Sequence, residues 1–243
     1  MRKSISRINS FLKGVILVLR PHILLGWLRR PLLTSSNILG LTKWIAQQDR
    51  TAALNDFYSP RRRYSKRYLL YQSVLDQLKL ANEAFVYLEF GVSAGHSFRW
   101  WLEHCNNPSV LLYGFDTFEG LPERWGKFSK GDMIADVPKV DDSRVEFVKG
   151  LFQDTLPQFL TTHDISRSPR RVVHMDADLF SSTLFALTSL ASSLRKGDVL
   201  IFDEFNVPNH EFFAFKIFSD SYHVKTRLLG AVNNYYQVAF IIE

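Results

Sequence analysis

Two pairs of acidic residues each follow a short apolar run in the second half of the chain. Asp176 and Asp178 follow the first run, and Asp203 and Glu204 follow the second. Hard carboxylate oxygens suit Mg²⁺, and a carboxylate can also take a proton from a substrate hydroxyl. The alternative is that these acids are ordinary capping or solvent-facing residues. Which of the two roles they have depends on whether the fold brings them together.

The segment between the acidic pairs predicts how the fold places them. Residues 172–175 form a predicted strand, 181–183 are good N-cap residues, and leucines recur at helical spacing up to residue 194. Gly197 then suits a helix C-cap before the strand at 199–202. Such a unit makes its two strands parallel neighbours, about 4.8 Å apart. Both acidic pairs therefore lie at the carboxyl edge of the sheet, where open α/β sheets bind ligands.

A glycine-rich loop ends an earlier predicted strand. Residues 89–95 read EFGVSAG, an E-x-G-x-x-x-G loop that opens onto a predicted helix at 97–103. Glycines let the backbone approach a ligand closely and leave the amides of the helix N-terminus free to bind it. Asp116 ends the next strand, where nucleotide-binding α/β folds hold ribose hydroxyls; the alternative is an Asp that caps the following turn. Because the loop lacks the G-x-G-x-x-G spacing, we expect an adenosine ligand other than NAD.

The same alternation of short apolar runs and helical segments extends over the chain from residue 84. It indicates a parallel sheet, and a helix at 210–219 with two alternating runs at 223–229 and 236–242 predicts a closing antiparallel hairpin. We therefore expect an α/β fold with a mostly parallel seven-stranded sheet and helices on both faces. The five parallel runs are 84–88, 110–115, 145–148, 172–175 and 199–202.

Five sequence segments lie at the ends of successive predicted strands. They are LEFGVSAGHS (88–97), GFDTFEGLP (114–122), VKGLFQDTLP (148–157), HMDADLFSST (174–183) and IFDEF (201–205). In this order they resemble the class I S-adenosylmethionine-dependent methyltransferases, and among them the O-methyltransferases of the macrocin and mycinamicin type. The resemblance covers about residues 68–205 and implies the Rossmann-like fold of that class, with S-adenosylmethionine and Mg²⁺ as cofactors. It also implies methylation of a hydroxyl on a small acceptor, a sugar of a glycosylated metabolite or glycan.

The resemblance further implies a role for each site residue. Asp176, Asp203 and Glu204 would be Mg²⁺ ligands, and Asp178 would be the general base. Glu204 stands where such enzymes usually have Asp, and Phe180 where they often have Tyr. The implied cofactor-binding residues are Glu89, Gly91, Ser93, Gly95 and Ser97 around the glycine loop, Asp116 at the ribose, Gly150, Phe152 and Gln153 beside the adenine, and Asp176.

Two other functions remain open. A D-x-D motif after a strand is also the metal and nucleotide-sugar motif of glycosyltransferases, although such an enzyme would not need the glycine loop and ribose acid ahead of it. A non-catalytic scaffold would instead use a basic segment to hold a membrane or polyanion and would carry a degenerate cofactor pocket. Such a scaffold predicts steeply salt-dependent binding to polyanions.

The net charge of +6 over 243 residues is unevenly distributed. Residues 1–67 carry 14 Lys or Arg and only Asp49 and Asp56, whereas residues 68–243 carry 16 basic and 22 acidic residues. We therefore expect a basic, mostly helical N-terminal appendage at 1–67 and a methyltransferase domain at 68–243, with a boundary between about residues 50 and 67. The excess of acid in the second part argues against nucleic acid as a partner.

The basic segment has several candidate partners. Residues 11–33 are rich in Leu, Ile and Val, but basic residues and Pro21 interrupt them, so no run approaches the roughly 20 apolar residues of a transmembrane helix. The segment would pack on its own domain, pack on a second subunit in a homodimer, lie at an anionic membrane surface with Trp27 at the interface, or target an organelle. The cluster Arg61–Arg63 with Lys66 and Arg67 suits a solvated face or phosphate binding.

Cys105 is the only cysteine, which excludes an intramolecular disulfide and favours a reducing compartment. With the apolar run at 15–19 too short for a signal peptide, we expect a cytoplasmic protein that is soluble or peripheral at the membrane. His174 lies on a predicted buried strand, where we expect a core residue or a pocket wall rather than a catalyst.

Overall fold

The computed structural model describes residues 2–49, 51 and 54–243. Its strands are β1 (Leu54–Asn55), β2 (Val86–Phe90), β3 (Leu111–Asp116), β4 (Val145–Lys149), β5 (Arg171–Met175), β6 (Val199–Phe202), β7 (Thr226–Val232) and β8 (Gln237–Ile242). Its α-helices are α1 (Arg2–Leu19), α2 (His22–Leu25), α3 (Arg29–Gln47), α4 (Lys66–Leu78), α5 (His96–His104), α6 (Phe152–Thr162), α7 (Phe180–Leu190) and α8 (Glu211–Tyr222).

All the strands belong to one sheet in the order β1-β7-β8-β6-β5-β2-β3-β4. Strands β2 to β6 pair in parallel, and β8 runs antiparallel to both β6 and β7. The predicted α/β fold, a mostly parallel sheet closed by an antiparallel hairpin, is confirmed. The sheet has eight strands instead of the expected seven because β1 adds a short edge parallel to β7. Two residues are too few to show an alternating pattern in a sequence.

The central strands are covered on both faces. Every residue of β2, β5 and β6 is buried, because helices α4 and α5 pack on one face and α6, α7 and α8 on the other. Along β2 the side chains alternate, so that Leu88 and Phe90 enter one core and Tyr87 the other. Each fully buried large apolar side chain contributes about 1.5–3 kcal/mol, so this double burial fixes the register of the strands.

A buried ion pair joins β5 to the turn before β6. Arg171 donates from Nε and Nη2 to the two carboxylate oxygens of Asp198 at 2.7 and 2.8 Å, and both side chains are fully buried. Asp198 also accepts the backbone N–H groups of Arg171 and Arg195. Two-point pairing of this kind holds the two strands in one register, and with them the acidic residues at their far ends.

The start of α7 differs from the sequence-based prediction. Residues 181–183 are not N-caps, because the helix already begins at Phe180 with Leu179 at the N-cap position. Asp178 adopts a left-handed conformation, φ +59°, which turns the chain back within three residues of β5. The helix ends at Leu190, so Gly197, φ +94°, lies in the turn before β6 and is not the C-cap.

The connection between β3 and β4 also differs from the expectation. A helix was expected after each parallel strand, but residues 117–144 contain none. The segment instead runs as an irregular loop in which Trp125 stacks on Phe128 at 5.3 Å. Long irregular connections in compact domains are frequently functional, and this one lies at the carboxyl edge of the sheet.

The N-terminal helices meet the domain through α3. Trp44 packs against Phe205 and Phe240, with ring centroids 5.0 and 5.5 Å away. No described helix is by itself both long and apolar enough to cross a bilayer, whereas Ile8–Leu19 and His22–Gln47 meet those criteria together as a pair bent by 61°. The predicted domain boundary at residue 67 stays a prediction. Two elements of the structure begin before it: β1, which joins the sheet, and α4, which starts at Lys66.

Candidate active site

A cavity of about 360 Å³ opens at the carboxyl edge of the sheet, within the size range of small-molecule sites. The residues that follow β2, β3, β4, β5 and β6 line it, together with two residues that precede or begin α4. The lining residues are Tyr64, Arg67, Gly91, Val92, Ser93, Ala94, His96, Ser97, Asp116, Thr117, Gly120, Leu121, Pro122, Trp125, Met133, Leu151, Phe152, Gln153, Asp176, Ala177, Asp178, Ser182 and Glu204.

The structure brings most of the sequence-predicted site residues to this cavity. Glu89, Gly95, Gly150 and Asp203 are not among its lining residues, and the side chains of Glu89 and Asp203 are fully buried. The roles that the sequence resemblance implies for these residues stay predictions. The predicted residues that line the cavity are Gly91, Ser93, Ser97, Asp116, Phe152, Gln153, Asp176, Asp178 and Glu204.

The glycine loop is held against the D-x-D segment. Gly91 has φ +96°, and a Cβ added there would lie 2.0 Å from the carbonyl oxygen of Asp176. Gly95 has φ +76° and begins α5 as its N-cap. A Cβ added at Gly95 would lie 2.8 Å from the Pro138 side chain, so neither position tolerates a side chain without movement, and Gly91 serves the close approach of two backbones.

Asp116 fixes the glycine loop to the end of β3. Its Oδ2 accepts the backbone N–H of Ser93 at 2.8 Å, and its Oδ1 accepts that of Phe118 at 2.8 Å. The bond from Phe118 is a turn cap, the role that the sequence left open as the alternative to ribose binding. A carboxylate offers about four lone-pair sites, so Asp116 keeps acceptor capacity toward the cavity that it lines.

The acids after β5 and β6 converge. Ligand atoms of Asp176, Asp203 and His174 lie within 4.8 Å of one another, a spacing that suits one cation. His174 is fully buried, as expected, with Nδ1 2.8 Å from the Tyr87 hydroxyl and Nε2 3.3 Å from the Tyr71 hydroxyl. Both ring nitrogens thus have tyrosine partners, so the two carboxylates are the better cation ligands.

Glu204 stands apart from that group. Its Oε1 accepts a hydrogen bond from the Tyr236 hydroxyl, while its Oε2 is buried without a hydrogen-bond partner among the described residues. Glu211 is fully buried; it accepts the Glu204 backbone N–H at 2.8 Å and leaves its own Oε1 unpartnered. Unpaired buried carboxylate oxygens are costly, and a cation that they face would offset that cost.

Sequence reasoning missed two residues that face the acids. Arg67, taken as part of a basic surface cluster, is 7% exposed, and its Nη1 lies 3.9 Å from Asp176 and 3.7 Å from Asp203. The Tyr64 hydroxyl donates to Asp203 and accepts a 2.9 Å hydrogen bond from Arg67. Both residues precede the segment covered by the resemblance, and no local signal distinguishes them from their solvated neighbours.

Burial, and after it the concentration of negative charge, raises the pKa values of three acids at this site. Burial, followed by the charges of Asp203 and Asp178, raises the pKa of Asp176 well above its usual range. Burial and the charges of Glu204 and Asp203 raise the pKa of Asp178 to about 7. Burial also raises the pKa of Glu211. The site therefore favours a positively charged ligand and contains a carboxyl group that can exchange a proton near neutral pH.

Comparisons with known proteins agree with this arrangement. Residues 88–205 match a family model described as a methyltransferase domain. The calicheamicin methyltransferase CalS11 is 22% identical over 85% of this chain and 91% of its own, with a TM-score of 0.57. The O-methyltransferase NovP is 19% identical over 73% of this chain and 78% of its own, with a TM-score of 0.53. No match was found among curated protein sequences.

Residues 88–205 thus match a methyltransferase domain, and the fold and the cavity agree with that match. The sheet order and the cavity at its carboxyl edge are those of a Rossmann-like fold, and the matched residues 88–205 run from the middle of β2 to three residues past β6. The resemblance seen in the sequence is confirmed, and methyl transfer is favoured over the glycosyltransferase alternative.

The contact between Gly91 and Asp176 predicts a difference between two alanine substitutions. Gly197→Ala imposes a left-handed conformation in open space, with no atom within 4 Å of the new Cβ, and should cost about 1–2 kcal/mol. Gly91→Ala imposes the same strain and also a backbone clash, so it should cost about 1–3 kcal/mol more. Urea unfolding of the two variants measures the difference. Equal losses of stability would contradict the close approach.

Proposed function

We propose that the protein is an O-methyltransferase that methylates a hydroxyl of a small acceptor, a sugar of a glycosylated metabolite or glycan. The observation that carries the proposal is one cavity bounded by the glycine loop and Asp116 on one side and by Asp176, Asp178 and Glu204 on another. A methyl donor and a proton acceptor can thus share one cavity. The fold neighbour CalS11 is described as a TDP-rhamnose 3'-O-methyltransferase, which supports a sugar acceptor.

The glycine-loop side of the cavity suits S-adenosylmethionine. Ser93 and Ser97 offer polar groups near the start of α5, Asp116 offers carboxylate oxygens for ribose hydroxyls, and Phe152 and Gln153 offer an apolar ring and an amide. When bound there, the cofactor would supply an activated methyl group. The chain's own part is to hold the donor in one orientation and to keep water away from it.

Asp178 is the best candidate for the general base. It lines the cavity, and its pKa of about 7 lets the carboxylate accept a proton from an acceptor hydroxyl at neutral pH. Its left-handed backbone, φ +59°, directs the chain away from β5 at this point. Asp tolerates that conformation better than most residues because its short polar side chain can form hydrogen bonds with nearby groups of the chain.

The acidic side of the cavity fits a divalent cation by its donor chemistry. Asp176 and Asp203 provide hard oxygen ligands close to each other, and the unpartnered Oε2 of Glu204 provides a third candidate. When bound, Mg²⁺ would lower the pKa of an acceptor hydroxyl and help to orient it. Arg67 already places one positive charge beside the same carboxylates, so it shares in holding this cluster together.

The cofactor assignment predicts binding of S-adenosylmethionine and of its demethylated product, S-adenosylhomocysteine. Isothermal titration calorimetry should give dissociation constants in the micromolar range for the full chain. Asp116→Asn removes a charged acceptor and should weaken binding at least tenfold, whereas Asp220→Asn, on the exposed face of α8, should leave it unchanged. Absence of binding by the wild-type chain at tens of micromolar would refute the assignment.

The base assignment predicts a loss of turnover without a loss of cofactor binding. Asp178→Asn keeps the shape of the side chain and tolerates the left-handed backbone, so it should lower kcat at least about 100-fold. The assay follows labelled methyl transfer from S-adenosylmethionine to nucleotide sugars and glycosylated metabolites, with S-adenosylhomocysteine affinity as the control. Unchanged kcat would remove Asp178 from the mechanism, and transfer only to nitrogen acceptors would overturn O-methylation.

The metal assignment predicts cation binding that depends on Asp176. Mn²⁺ serves as a probe because its free aquo ion gives an electron paramagnetic resonance signal that disappears on binding. Asp176→Asn should weaken Mn²⁺ binding at least tenfold, while Asp220→Asn should not. Equal Mn²⁺ affinity of the wild-type and Asp176→Asn chains would show that these carboxylates hold no metal.

A further inference from the structure

Helix α1 exposes an apolar face that nothing in the described part of the chain covers. Phe11, Val18 and Leu19 are 71%, 80% and 71% exposed, and the other large apolar side chains between residues 8 and 19 are 39–77% exposed. At about 100° per residue, seven of the eight exposed apolar side chains between residues 8 and 19 fall within an arc of about 160°. Ser10 and Lys13 lie on the opposite side together with Leu17, the one apolar residue outside the arc, so α1 is amphipathic.

The exposed apolar surface continues beyond α1. Leu24 in α2, Trp27 in the following turn, and Leu32 and Leu39 in α3 are 77%, 73%, 64% and 70% exposed. Scattered apolar residues are normal on a protein surface, but consecutive helices that expose most of their apolar side chains are not. Such a surface marks an interaction site.

The charges on this surface have one sign. No acidic residue occurs before Asp49, and Lys13, Arg20, Arg29 and Arg30 are exposed among the apolar side chains. Apolar side chains that enter the acyl boundary and basic side chains that meet anionic head groups add to each other's effect. Trp27 also suits the interfacial region.

The same charges argue against a second copy as the occupant. A two-fold symmetric dimer places one patch against the identical patch of its partner. Here that contact would place one basic patch against a second, equally basic patch, with no acid on these helices to offset the charge. Like charges placed opposite one another oppose association.

The surface is fixed to the domain beside the cavity. Asn37 in α3 donates to the side chain of Asn209 at 2.9 Å, and Asn209 donates to Thr34 at 2.6 Å. Asn209 lies in the loop between β6 and α8, five residues after Glu204, which lines the cavity. A partner bound to α1, α2 and the start of α3 would therefore hold the domain close to that partner.

We propose that α1, α2 and the first half of α3 form a docking surface for a bilayer that contains anionic phospholipids. The helices lie in the head-group region with their apolar side chains toward the acyl chains and their basic side chains toward the phosphates. This proposal is independent of the methyltransferase chemistry, because it depends only on the exposed residues of these helices.

Flotation of the full chain with lipid vesicles tests the proposal. Vesicles of phosphatidylcholine with 30% phosphatidylglycerol should bind the chain at least tenfold more strongly than vesicles of phosphatidylcholine alone, and 0.5 M NaCl should reduce that difference. The double variant Val18→Asp/Leu24→Asp should lower binding to the anionic vesicles at least tenfold. Leu69→Asp, at a leucine 58% exposed on α4, is the matched control and should bind like the wild type.

A second pair of variants tests the charges without altering the apolar face. Arg29→Gln/Arg30→Gln should lower binding to anionic vesicles at least fivefold and leave binding to neutral vesicles unchanged, while Lys196→Gln/Lys225→Gln should have no effect. Circular dichroism melting establishes that each variant is folded. Equal binding of the wild-type chain to both vesicle types, or insensitivity to both variant pairs, would overturn the proposal. So would a vesicle-free dimer that Val18→Asp/Leu24→Asp converts to a monomer, since that result assigns the surface to a second copy.

Discussion

The close approach of two neighbouring strand ends is the constraint on which the site depends. Strands β2 and β5 pair so that Phe90 lies beside Met175, and the N–H of Asp176 donates to the Phe90 carbonyl at 2.9 Å. Immediately afterwards the chain has room only for a hydrogen atom at Gly91, because the Asp176 carbonyl fills the space of a side chain. This contact makes the glycine loop and the D-x-D segment two walls of one cavity.

The second constraint is the balance of charge beneath the cavity. Covered strands place carboxylates where water cannot solvate them well, and the pKa values of Asp176 and Asp178 rise as a result. Hydrogen bonds from Tyr64 and Tyr236 and the nearby guanidinium of Arg67 offset part of the cost. The unpartnered Oε2 of Glu204 shows that this compensation is incomplete among the described residues.

The N-terminal helices are tied to this site through a few contacts. Trp44 enters the aromatic core beside Phe205, and Asn37 bonds to the loop after β6, whereas α1 exposes its apolar face. The strongly basic part of the chain therefore has an anchored end and an exposed end. The overall net charge of +6 conceals this difference, because it averages a basic N-terminal segment with an acidic remainder of the chain.

The local sequence determined the strands, the glycine loop and the acids at the carboxyl edge, because strand periodicity, glycine turns and βαβ connections are local or nearly local rules. The two-residue strand β1, the irregular segment 117–144 and the early start of α7 followed from packing and from one left-handed residue, Asp178, which no pattern indicated. Only the tertiary structure placed Arg67 and Tyr64 against Asp203, 136 and 139 residues further along the chain. A basic residue in a basic cluster carries no local sign of burial, since its partners are chosen by the fold.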